Sequence, residues 1–143
     1  FPSSLHQIFK TYKHISSLEF SNKIALLPSC YVEKKKKKYS VLNEALHLDV
    51  PIRINDFKAI EAAILKNNAF SELDQLAILA DKYYPKSMLA EYELGLMYEK
   101  QEDYKKAMKR YQNASQMQEI GALTKTMMLE KYDLMLSKNA PKK

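Results

Sequence analysis

Residues 88 to 115, MLAEYELGLMYEKQEDYKKAMKRYQNAS, set a register that the chain also meets 34 residues earlier, and this self-similarity restricts the fold more than any other feature. Leu94, Gly95 and Tyr98 fall on a first helix, and Tyr104, Ala107, Tyr111 and Ala114 on a second. One period back, Ile60, Ile64, Phe70, Leu73, Ala77 and Ala80 stand for Leu94, Tyr98, Tyr104, Ala107, Tyr111 and Ala114. One period forward, Met128 and Tyr132 take the places of Leu94 and Tyr98. A period of this length implies helix pairs, each with an apolar face that it cannot bury alone, and a final single helix over the open end. Packing explains the residue types. Gly95 lets the paired helix approach closely, and the small Ala107 and Ala114 leave room for Tyr98, Tyr104 and Tyr111.

The pattern Leu94-Gly95-x-x-Tyr98 followed by Ala107-x-x-x-Tyr111-x-x-Ala114 resembles the tetratricopeptide repeat (TPR). The resemblance implies an all-α fold, a TPR-like α-α superhelix of two repeats plus a capping helix, and it covers about half of the chain. It is sharp in the second repeat and degenerate in the first. Glu61 and Leu129 stand at the places equivalent to Gly95, and Asn68 and Glu102 occupy the turn where the family favours glycine. Asparagine tolerates a left-handed backbone; glutamate there costs on the order of 1 kcal/mol or forces a different turn.

In this family ligands lie in a groove formed by the first helix of each repeat. Transferred by register, the groove would hold Lys58, Ala62, Leu65 and Lys66, then Tyr92, Leu96, Glu99 and Lys100, then Thr126, Glu130 and Asp133. The same positions also read as solvated helix faces. The Lys/Asn set that clamps peptide C-terminal carboxylates is not matched, because Ala62, Tyr92 and Leu96 stand where its polar residues would be needed.

Composition agrees with a helical domain. The 143 residues, 46% hydrophobic, suffice for one domain with a real core, and two glycines and five prolines leave little material for hairpins or phosphate-binding loops. Charge divides the chain into a basic N-terminal segment, residues 1–38, and a helical domain, residues 39–143. The first holds eight lysines against Glu19 and Glu33, which is the whole net charge of +6. Within it, Leu5, Ile8 and Phe9 predict a short amphipathic helix over residues 3–12, with Ser3 or Ser4 as N-cap. From His14 to Val32 the periodicity is lost at Ser16, Ser17, Ser21, Pro28 and Ser29, so the segment reads as irregular, with a strand-like stretch at Ile24–Leu27. A helix over about 35–48, lined by Tyr39, Leu42, Ala45 and Leu46, ends at Asp49-Val50-Pro51. Four or five helices follow Ile54.

Chemistry finds little footing. His6, His14, His47 and Cys30 show no metal-ligand spacing, no G-x-S-x-G occurs, and no cofactor is expected. The tyrosines and the seven methionines read as core and as gap-fillers between helices. The run Lys34–Lys38 reads as a solvated linker or first helical turn, so nucleic acid is not an expected partner. No apolar run reaches the roughly 18 residues of a membrane span. The chain opens on Phe1 and reads as a piece of a longer protein.

The order of features also looks like the C-terminal extension of certain bacterial esterases whose catalytic part is an α/β-hydrolase domain of the ferric-siderophore esterase type. That order is the SSLHQIFKTYK helix, an irregular stretch, a helix ending in D-V-P-I, then TPR-like repeats. The likeness implies that the catalytic residues lie upstream and that the protein is periplasmic or secreted. The expected partner is therefore another protein or an upstream domain of the same chain.

Overall fold

The computed structural model describes residue 8, residues 10–25 and residues 51–140. Six α-helices lie among them: α1 (Ser17–Ala25), α2 (Ile54–Lys66), α3 (Leu73–Tyr83), α4 (Leu89–Lys100), α5 (Tyr104–Ser115) and α6 (Lys125–Asn139). Short 3-10 turns precede α1 at Tyr12–His14 and α3 at Phe70–Glu72. No strand occurs among the described residues, so the chain is all-α. It forms two compact units, Phe1–Glu72 and Leu73–Lys143.

In the first unit α1 packs on α2. Ser16 and Glu19 start α1 as a capping box would: the Ser16 hydroxyl accepts from the Glu19 N–H at 3.0 Å. Phe20 and Ile24, four residues apart, bury one face, and Lys23 pairs with Glu19 at 3.1 Å on the other. Over Ser17–Ala25 this helix corrects the irregular reading of residues 14–32, of which 26–32 fall outside the described residues. Serine interrupts an apolar stripe on paper, but at Ser16 it caps the helix, and Ile24 and Ala25 are helical rather than strand-like. On α2 the buried set is Asp56, Phe57, Ile60, Ala63 and Ile64, an ordinary helical stripe with one carboxylate in it.

The second unit is a run of neighbours: α3 packs on α4, α4 on α5, and α5 on α6. Met88, Ala107, Tyr111, Ala114, Met128 and Met135 form one buried cluster, with Tyr92, Tyr98, Tyr104 and Tyr132 packed partly buried around it. The aromatic and methionine positions are thus core. At Gly95 the Tyr111 ring of α5 packs directly on the α4 backbone: a Cβ there would stand 2.6 Å from Cε1 of Tyr111, whose ring is fully buried.

Two helix endings 34 residues apart share a backbone geometry. Asn68 and Glu102 both have positive φ, 56° and 62°. Ala69 N–H bonds to Ile64 O and Asn68 N–H to Leu65 O; likewise Asp103 N–H bonds to Tyr98 O and Glu102 N–H to Glu99 O. Each is a Schellman ending, so the turn is the left-handed one even where glutamate must adopt it. After the turn the units differ. Asp103 caps α5 directly, its side chain accepting from Lys106 N–H at 3.3 Å, whereas Phe70–Glu72 forms a 3-10 turn before α3. One period beyond Glu102 lies Leu136, inside α6, which continues as a single helix to Asn139.

The expected helix over residues 35–48, the lysine run 34–38, the boundary at residue 38, and Leu5, Phe9, Cys30, His6 and His47 fall outside the described residues. Of the first expected helix, Ile8 and Lys10 are helical and Ile8 is buried.

Candidate functional site

The positions transferred by register divide between the units. On α2, Lys58, Ala62 and Lys66 are exposed and Leu65 is half-buried. Ala62 and Lys66 line a shallow groove of about 110 Å³ between α1 and α2, together with Ser21, Ala25, Ala59 and Asn67. Its walls are small because α1 crosses close to α2, and the Lys66 ammonium reaches the Ala25 carbonyl at 3.3 Å. The buried Asn67 donates from Nδ2 to the Ala63 carbonyl at 2.8 Å.

In the second unit the α4 set is less open than a solvated face. Leu96 is buried, Tyr92 and Glu99 are half-buried, and Lys100 is exposed. Tyr92 and Glu99 lie on one side of α4 because seven residues make nearly two turns. Facing them is Tyr111 of α5, whose hydroxyl donates to Glu99 Oε1 at 2.6 Å. From α6, Lys131 Nζ reaches the same oxygen at 3.6 Å and stands 5.3 Å from the Tyr111 ring centroid and 5.9 Å from that of Tyr92. The two rings are 6.3 Å apart and tilted by 44°. Next to this group Glu91 accepts from Arg110 at 3.2 Å and from Asn113 at 2.9 Å. Thr126, Glu130 and Asp133 are exposed on α6.

Sequence reasoning missed Lys131, Arg110 and Asn113. For Lys131 and Arg110 the signal was available, since each lies three or four residues from buried positions of its helix and so borders the core. Leu129, one period after the buried Gly95, is 44% exposed on α6. Leu134 and Leu136 are exposed on the same helix, at 47% and 49%.

A second polar cluster was also unforeseen. In the first unit the Tyr12 hydroxyl donates to the buried Asp56 carboxylate and accepts from the Arg53 N–H at 2.9 Å. The Arg53 side chain bonds Asp56 Oδ2 at 2.7 Å and the Ile15 carbonyl at 2.5 Å, with its guanidinium 4.4 Å from the Tyr12 ring centroid. Burial first, then the hydrogen bond to Asp56, push the Tyr12 phenol well above its ordinary pKa. The cluster ties residues 12–15 to the start of α2.

Among the described residues no group of three or more His, Cys, Asp or Glu side chains could hold a metal ion, and no helix is long and apolar enough to cross a membrane. No protein-family model matches the chain, and no curated protein does. Among solved structures it is similar to an uncharacterised protein from Capnocytophaga ochracea DSM 7271. The identity is 26%, the TM-score is 0.59, and the match covers 76% of this chain. The chain spans 30% of the length of that protein.

Proposed function

We propose that the chain is a TPR-like helical repeat module that binds another protein and is non-catalytic by itself. The pair α4 and α5 is read as one repeat and α6 as the closing helix, and the Schellman turns at Asn68 and Glu102, 34 residues apart, support extending the period back along the sequence to residues 54–83. The observation that carries the reading is α6. It seals the core through Met128 and Met135 while Leu129, Leu134 and Leu136 remain exposed beside Thr126, Glu130 and Asp133. Leu129 and Leu136, seven residues apart, share one face of α6, and exposed apolar side chains rimmed by polar ones suit a protein partner. The test is affinity capture from the source cell, followed by calorimetry with the purified partner. Leu129→Gln/Leu136→Gln should weaken binding at least about tenfold, since each buried leucine contributes roughly 1.5–3 kcal/mol. Unchanged affinity would remove α6 from the interface.

A second reading, resting on the order of sequence features and compatible with the chain spanning 30% of the length of the protein it matches, makes this an accessory C-terminal domain beside an upstream esterase domain of the same chain. Reading the upstream coding sequence from the natural transcript tests it. A G-x-S-x-G elbow there supports the reading, and its absence removes it.

A further inference from the structure

The geometry points to a cation-recognition site formed by Tyr92, Tyr111 and Glu99, in which Lys131 is a built-in occupant that the lysine side chain of a partner can displace. Four lysines lie near tyrosine rings among the described residues, and three of them, Lys82, Lys106 and Lys138, are exposed and meet one ring each. Lys131 differs. Its ammonium faces two rings from two helices and a carboxylate, with a side chain only 26% exposed and a Glu99 side chain 16% exposed.

Two aromatic faces and an acceptor around one ammonium are the features by which proteins bind alkylammonium groups. The walls are held independently of Lys131. Tyr111 is locked against Gly95 and donates to Glu99, and Tyr92 packs against Tyr111. The occupant is the adaptable part, a flexible four-carbon stem reaching in from α6. Its ion-pair distance of 3.6 Å is long beside the 2.6 Å bond from Tyr111 to the same oxygen. Lys131 can therefore swing outward without any helix moving. A primary ammonium suits the site better than a quaternary one, because Glu99 accepts a hydrogen bond.

The inference deepens the interaction reading by naming the partner's anchoring group as lysine, and it fails separately. Capture that persists without ammonium binding keeps the module and removes the cage.

Lys131→Ser empties the site, and n-butylammonium chloride, which carries the lysine side chain's own stem and charge, is the probe. Binding is followed by NMR from its methyl signal and from the Tyr92 and Tyr111 ring protons, with n-butanol as the neutral control. Lys131→Ser is expected to bind n-butylammonium saturably, at least about tenfold tighter than the natural chain. Butanol should not bind, and Tyr92→Leu on the same background should abolish the effect. A folded Lys131→Ser chain with no saturable shift, or one that binds butanol equally, overturns the inference. The natural chain carries a second readout that does not depend on the variant folding. Ring currents should hold the Lys131 ε-methylene protons upfield of other lysines, and n-butylammonium should return them toward the ordinary position. Protons that stay unmoved at saturating probe overturn the inference as well.

Discussion

Two side chains carry unusual weight for their size. At Gly95 the missing Cβ is filled by the Tyr111 ring, which is fully buried and bonded to Glu99, so it has nowhere to retreat. Alanine would gain roughly 1 kcal/mol of helix propensity but overpack the contact by more, so Gly95→Ala should lower stability by about 1–2 kcal/mol in urea unfolding. A smaller side chain opposite should relieve it: Gly95→Ala on a Tyr111→Leu background should cost less than on the natural one. Tyr12 is the counterpart in the first unit. Tyr12→Phe leaves Asp56 without one of its donors and should cost roughly 1–3 kcal/mol at neutral pH. Because the folded phenol lies above its unfolded value of about 10, the folded state keeps a proton that the unfolded state has lost. Stability should therefore fall as pH rises above about 10, by up to roughly 1.4 kcal/mol per unit, and Tyr12→Phe should lose that part of the slope. Denaturant midpoints from pH 8 to 11 for both chains decide it. The glycine contact was legible because a repeat register gives Gly95 a partner helix. The tyrosine cluster was not, since nothing in the linear spacing of Tyr12, Arg53 and Asp56 says that they meet.

At the scale of elements, the turns are the informative parts. Glu102 takes a left-handed conformation that disfavours side chains, at φ 62°. Glu102→Gly should raise stability by about 0.5–1 kcal/mol, read as a higher melting temperature, and Asn68→Gly by less, because asparagine tolerates that region. An equal or larger gain at Asn68 would contradict this account of the turn. The helix α1 shows the opposite lesson. Ser16-x-x-Glu19 ahead of Phe20 and Ile24 carries the whole start signal, and it is obscured because three serines within six residues look like loop. Ser16→Ala should cost about 0.5–2 kcal/mol, measured by the same unfolding. The groove set was legible only in part. Register grouped Tyr92, Leu96 and Glu99 on α4, but only tertiary packing buries Leu96 and brings Lys131 over from α6.

For the whole molecule, helices pack on their sequence neighbours within the second unit, so local contacts dominate and each helix face has a definable occupant or none. The all-α class followed from composition and period together. Met128 and Tyr132, which continue the register, both lie on α6. The central claim is that the α4 and α6 side of this unit meets another protein. A photo-crosslinking residue placed at Lys100, Thr126 or Glu130, compared with Lys109 or Gln112 on the exposed side of α5, tests it directly in the source cell. The account predicts a discrete higher-mass product from the first three positions and none from the last two. Equal crosslinking from all five positions, or none from any, would contradict it.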